Sequence, residues 1–103
     1  LWDLIVDTDY NITNQSQFSC AFYRGQASNP LYFINNFVYL DAGSDVLVPD
    51  AGLARQANEA SFVASRAEGC WKEMGRIPNY IYVDWFGQGD VVQAVQTLNA
   101  LPR

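Results

Sequence analysis

Two unbroken apolar runs set the strongest limit on what this chain can fold into: Leu31-Tyr32-Phe33-Ile34, and Tyr80-Ile81-Tyr82-Val83 continuing through Asp84-Trp85-Phe86. A strand with one face in water alternates apolar and polar residues, whereas these runs offer apolar side chains to both faces. They fit a parallel sheet covered on both sides better than the arms of a half-exposed hairpin. The later run is the stronger, with β-branched and aromatic residues throughout, and Gly87 and Gly89 stop it. The earlier run passes into Asn35-Asn36 and a second apolar stretch, Phe37-Val38-Tyr39-Leu40.

Between the runs the period changes. Leu53, Ala57, Ala60, Ala64 and Ala67 recur at helical spacing, which predicts a helix with a small-residue face, ended by Gly69. Trp71 to Pro78 reads as a connector, and Asp90 is a good N-cap for a closing helix over Val91 to Leu98. Leu1 to Val6 reads as a strand end or packed loop, Asp7 to Ser19 as a long loop, and Asp41 to Gly52 as a turn region. The order strand, helix, strand, helix, with connections too long for hairpins, predicts right-handed β-α-β units and the α/β class.

A length of 103 residues suits one compact domain and not two. Hydrophobic residues make up 50% of the chain and charged residues only 17%, so part of its apolar area is expected to be shared with another surface. The net charge is -5, and Arg24, Arg55, Arg66, Lys72, Arg76 and Arg103 are scattered. That excludes a nucleic-acid interface, which needs clustered cations, and disfavours docking on an anionic membrane. No apolar run approaches the length of a transmembrane segment. The sequence opens on Leu1 with no signal-peptide pattern, and reads as processed, trimmed or drawn from a larger precursor. Two sequons, Asn11-Ile12-Thr13 and Asn14-Gln15-Ser16, lie in the polar loop. Two cysteines, Cys20 and Cys70, either bridge in an oxidising compartment or are buried free thiols of a cytosolic protein. Sequons and cysteine count together point to secretion.

The stretch Gly75-Arg76-Ile77-Pro78-Asn79 leading into Tyr80–Phe86, then Gly89-Asp90 and Leu98-Asn99, resembles the last strand and helix of phospholipase-C-like phosphodiesterases. In that family a Gly-Arg-x-Pro-Asn turn enters an apolar strand ending in Asp-Phe, and Gly-Asp opens a helix ending in Leu-Asn. Upstream, Trp2-Asp3 is similar to a Trp-Glu/Asp element and Cys20 with Arg24 to a Cys-x-x-x-Arg element. Leu31 to Phe37 resembles a strand ending in Asn, and Asn58 and Cys70 fall where relatives often carry Asn and Cys. The resemblance implies the C-terminal portion of a (β/α)8 TIM barrel, with residues 1–103 as a single partial domain of a fold that needs about 250 residues.

The reaction so implied is phosphodiester cleavage by an acid/base pair of histidines, both from the N-terminal half of the barrel. In the phosphatidylinositol-cleaving members the inositol 2-hydroxyl attacks phosphorus. This chain contains no histidine, so no residue is assigned a catalytic role and the chain alone is expected to be inactive. The expected partner is an N-terminal barrel portion carrying the histidines, or copies of the chain itself, with a phosphodiester or lipid head group as ligand. No cofactor is expected. No metal site is expected either: Asp7-x-Asp9-x-Asn11 opens like a calcium loop, but Ile12 and Phe18 stand where Gly and Glu are required.

Five residues are candidates for lining a pocket. Asp84 ends the last strand, where charged residues of a barrel face the mouth; a structural role capping the next turn is the competing reading. Asn35 and Asn36 end the earlier strand, and many relatives read Asn-His-Phe where this chain reads Asn35-Asn36-Phe37. Trp2 and Trp85, with Tyr39, would form apolar walls, core packing being the alternative for two of the three. Cys20 and Cys70 are expected to bridge the long loop to the end of the helix, stabilising by roughly 3–4 kcal/mol in the chain-entropy account. The alternative to a fragment or subunit of a secreted phosphodiesterase is a non-enzymatic structural or assembly protein that builds oligomers or filaments from the barrel piece.

Overall fold

A computed structural model describes residues 1–102. In chain order it contains β1 (Ile5–Asp7), a single 3-10 turn at Gln15–Gln17, β2 (Leu31–Asn35), β3 (Tyr39–Asp41), β4 (Leu47–Pro49), α1 (Ala51–Ala57), α2 (Ala60–Met74), β5 (Tyr80–Tyr82) and α3 (Val91–Asn99). The central sheet has three strands in the order β1-β2-β5, all parallel. Ile5 pairs with Leu31, Phe33 with Tyr80, and Asn35 with Tyr82. The α/β class and the parallel sheet thus agree with the apolar runs.

Strand alternation sorts the side chains. Val6, Tyr32 and Ile34 face the helices and form the main core with Ala67 and Cys70 of α2; Cys20, Phe22, Met74, Ile81 and Leu98 pack against it. The other face carries Ile5, Asp7, Phe33, Asn35, Tyr80 and Tyr82, and no helix covers it among the described residues. α3 packs along α2, so both long helices lie on one side of the sheet. A smaller core, Ile12, Val38 and Ala57 with Phe18 and Leu53, anchors the long loop beneath α1.

The cysteines form a disulfide, Cys20–Cys70, with Cα atoms 5.1 Å apart and a sequence separation of 50. It joins the β1–β2 connection to the last third of α2 within the main core.

Four local expectations are corrected. The helix expected from Leu53 to Gly69 is two helices, broken at Asn58-Glu59, because Asn58 commits its side chain and carbonyl to the loop after β5. Its buried positions are Ala54, Ala57, Val63, Ala67 and Cys70, one register away from the expected stripe in part. α2 runs through Gly69 and most of the supposed connector to Met74, where Gly75 at φ 69° ends it in the left-handed conformation. Asp41 to Gly52 is not all turn: β3 and β4 form an antiparallel hairpin, using the apolar Tyr39-Leu40 as one arm. β5 ends at Tyr82, four residues before the end of its apolar run. Beyond it the chain turns, with Trp85 at φ 49° and Gly89 at φ 75°. The expected caps are present: Asp90 accepts from Gln93 N at 3.0 Å, and Asp50 does the same for Leu53 N at 2.9 Å in α1.

Candidate functional site at the strand ends

The C-terminal ends of parallel strands are where α/β folds place their chemistry, because loops of varied sequence converge there on a rigid edge. Here the ends of β1 and β2 meet in a polar cluster. Asp7 is 2% exposed, a cost that only good partners offset. Arg24 supplies them: its Nε donates to both carboxylate oxygens at 3.2 and 3.1 Å, its Nη2 donates to Oδ2, and its backbone N–H donates to Oδ1 at 3.2 Å. Asn35 Nδ2 donates to the same carboxylate at 3.0 Å and to Thr8 O at 2.8 Å. The guanidinium lies 4.2 Å from the Trp2 ring centre and 4.4 Å from that of Tyr10. Hydrogen bonding to Asp7 holds the Arg24 guanidinium above its ordinary pKa.

Beside this cluster an aromatic floor covers the open sheet face. The Phe33 ring centre lies 4.5 Å from that of Tyr80 and 5.2 Å from that of Tyr82. Phe33 is buried, but Tyr80 and Tyr82 are 55% and 54% exposed.

The end of β5 is organised around Asn58. Its Nδ2 donates to Asp84 O at 3.0 Å and Trp85 O at 3.3 Å, and its carbonyl accepts from Asp90 N at 3.1 Å. The loop that carries Asp84 is therefore fastened to the α1–α2 break. Gly89 is required at this crossing, since a Cβ there would fall 2.5 Å from Asn58 O. The Asp84 carboxylate has one buried oxygen, Oδ1, with no hydrogen-bond partner among the described residues. Desolvation pushes this carboxyl above the usual aspartate range.

The five candidates thus have different surroundings. Asn35 and Trp2 meet through Asp7 and Arg24 at the end of β1. Asn36, wholly buried, turns to the helix side, where its Nδ2 donates to Ala57 O at 2.8 Å and its Oδ1 accepts from Arg66 at 3.5 Å. Burial lowers the Arg66 pKa to about 10, and its guanidinium also donates to Ser19 O at 3.0 Å. Asp84 lies half-buried after β5 with Trp85 exposed next to it. Sequence reasoning missed Asp7 and Thr8 as site residues. The signal was available: Asp7 follows the apolar Ile5-Val6 pair, as Asp84 follows Tyr80–Val83.

Chemically, the described residues of the site offer a buried carboxylate oxygen without a partner, a guanidinium committed to Asp7 and exposed tyrosine faces. These can bind and orient, but with no histidine in the sequence they hold no imidazole pair for acid/base exchange. Both sequon asparagines, Asn11 and Asn14, are exposed, and Asn14 Oδ1 caps the 3-10 turn by accepting from Ser16 N at 2.9 Å. Among the described residues no helix is long and apolar enough to cross a membrane.

Comparison with curated proteins and with solved structures finds no match. The family model PI-PLC X 1, by contrast, matches residues 2–99, nearly the whole chain and every strand and helix described above. The chain belongs to the PI-PLC X family, a phospholipase-C-like group.

Proposed function

We propose that this chain is the C-terminal part of a secreted phospholipase-C-like phosphodiesterase barrel, inactive alone and completed by a portion that carries the acid/base histidines. The observation that supports this most is the face of the parallel sheet that no described helix covers, where Tyr80 and Tyr82 stand exposed beside the buried Phe33. Parallel sheets are stable when both faces are buried. Here helices cover one face, while Phe33, Tyr80, Tyr82 and the Asp7–Asn35 cluster lie on the other. A barrel interior is what buries such a face, and its mouth gathers the strand ends.

In this reading Asp84 is a positioning residue. Its free, desolvated Oδ1 accepts the N–H of an incoming imidazole, fixing the tautomer and favouring the protonated state. Asn35 and Trp2 border the same mouth through the Asp7–Arg24 pair, Trp85 flanks Asp84, and the phosphodiester or lipid head group enters over the tyrosines. Asn36 supports the strand end from behind. The exposed sequons and the Cys20–Cys70 bridge are compatible with secretion.

The test is native mass spectrometry of the purified protein with peptide sequencing, followed by assay on phosphatidylinositol and simple phosphodiesters. The expected particle contains histidine-bearing sequence besides these residues and turns over a phosphodiester. A particle made only of this sequence, with no turnover, would overturn the proposal and favour an assembly protein.

A further inference from the structure

The cations of the chain are not equally occupied. Arg24 is committed to Asp7, Lys72 lies 3.1 Å from Glu68, and Arg76 donates through both Nη atoms to the carbonyls of Ala27 and Asn29. Arg66 differs. It is half-buried in the side of α2, and it forms no ion pair among the described residues. Its acceptors are neutral: Nη2 donates to Ser19 O at 3.0 Å and Nη1 to Asn36 Oδ1 at 3.5 Å. The Phe18 ring covers one face of the guanidinium, its centre 4.3 Å away. A guanidinium carries more N–H donors than these two bonds use. Burial lowers the Arg66 pKa to about 10, which leaves it charged at neutral pH. Such a cation, partly desolvated and with donors to spare, is unbalanced within its own site.

Arg66 lines a groove of about 380 Å³ between α2 and the loop that the Cys20–Cys70 bridge holds against it. Phe62 and Ser65 of α2 form one wall, and Phe18 and Ser19 of the loop form the other. The two phenylalanine rings lie 5.8 Å apart, centre to centre, and make an apolar corner. Ser19 Oγ accepts from Ala21 N at 3.0 Å, which leaves its O–H to donate. Gly69, one turn beyond Arg66, has open space around it, so no side chain blocks the groove there. Glu73 stands on the same helix face, seven positions on from Arg66, or about 10 Å along the axis.

We propose that this groove binds a small monocarboxylic acid with a compact apolar body, its carboxylate paired with Arg66 and its body against Phe18 and Phe62. With Phe18 on one face, the guanidinium offers its edge, the geometry in which a carboxylate takes two parallel N–H bonds. Ser19 O and Asn36 Oδ1 hold the group in place beforehand, so little side-chain freedom is lost on binding. One cation balances one negative charge. Glu73 and the net charge of -5 act against a doubly charged ligand such as a phosphate monoester. The groove lies on the helix side of the sheet, away from the tyrosine face, and the proposal does not rest on the barrel reading.

The experiment is an NMR titration of the complete native protein with benzoate, following the Arg66 Nε–H and the Gly69 amide. Benzyl alcohol and inorganic phosphate serve as controls. Benzoate should move both signals saturably, with a dissociation constant on the order of 1 mM. It should bind at least about tenfold more tightly than either control. Arg66→Lys keeps the charge but loses the planar fork, and should weaken benzoate binding at least about tenfold. The absence of a saturable benzoate shift at Arg66 overturns the proposal. Equal binding of benzyl alcohol overturns it too, since the groove would then be merely apolar, and equal binding of phosphate shows unselective attraction to a cation. Undiminished benzoate binding by Arg66→Lys overturns the paired geometry. Should that variant fail to fold, the parent titration decides alone, by the ratio of benzoate to its controls.

Discussion

Arg24 grips the carboxylate of Asp7, seventeen residues before it, with side chain and backbone together, and this contact both buries a charge and seals a strand. Replacing Arg24 by Met leaves Asp7 with Asn35 and one backbone donor, in a site where an uncompensated carboxylate is costly. The Arg24 side chain is 39% exposed, so water offsets part of the loss, and the expected destabilisation is about 2–3 kcal/mol. A urea midpoint measures it. The double replacement Asp7→Asn with Arg24→Met should lose less than Arg24→Met alone.

The Cys20–Cys70 bridge closes a loop across 50 residues, which the chain-entropy account values at about 3–4 kcal/mol. Cys70→Ser should therefore lower the melting temperature by many degrees, and reduction of the parent protein should do the same. An unchanged melting temperature under both treatments would count against the bridge as a stabilising element.

Two glycines give opposite expectations. Gly89 has φ 75° and its Cβ would meet the Asn58 carbonyl at 2.5 Å. Gly89→Ala should cost about 2–4 kcal/mol by straining the turn and displacing the Asn58 clamp. Gly69 lies inside α2 with open space around it. Gly69→Ala should stabilise by about 0.5–1 kcal/mol, since alanine restricts the unfolded chain and suits a helix. Thermal melts of the two variants, measured side by side, check the contrast.

Asp84→Asn should cut turnover of the complete native protein by at least about 100-fold while leaving the fold intact, because an amide cannot hold an imidazolium as a carboxylate does. Its pH signature is separate. The Asp84 carboxyl in this chain has its pKa raised by desolvation, so the folded chain holds the proton at a pH where the unfolded chain has released it. Stability then falls as the pH rises from the ordinary aspartate range through the raised value. Asp84→Asn should remove that fall. Melting temperatures of parent and variant across the mildly acidic range compare the two slopes, and normal turnover by the variant would sink the positioning role.

What could be read from the sequence was the part governed by local pattern. Leu31–Ile34 and Tyr80–Tyr82 are strands because apolar, β-rich runs need cover on both faces, and Asp90 caps α3 because its carboxylate reaches Gln93 N. What escaped was governed by distant contacts. Asn58 breaks a helix that periodicity alone would continue, since its amide holds the Asp84 and Trp85 carbonyls 26 and 27 residues away. The β5 run looks like seven strand residues, yet the ladder with β2 ends at Asn35 and Tyr82. Asp7 resembles a loop acid until Arg24 and Asn35 are seen around it. Spacing gives no hint of which strand-end amide turns inward: Asn35 reaches Asp7 and Asn36 reaches Ala57 O, although they are neighbours.

The outer edge of β1 is bonded to the chain's own Leu1, Tyr23, Arg24 and Asn29, and this seal also bears on the order in which the protein takes shape. Everything that closes that strand lies within the first 29 residues, and its one ladder partner is complete at Asn35. During synthesis, β1, its sealing loop and β2 can come together as soon as that stretch leaves the ribosome, with short loops to close and no later residue required. β5, which pairs with β2 alone among the described residues, is the last of the strands to be made. Its open edge is therefore exposed only after its ladder partner β2 and the sealed β1 exist, which shortens the time that edge can meet the wrong neighbour.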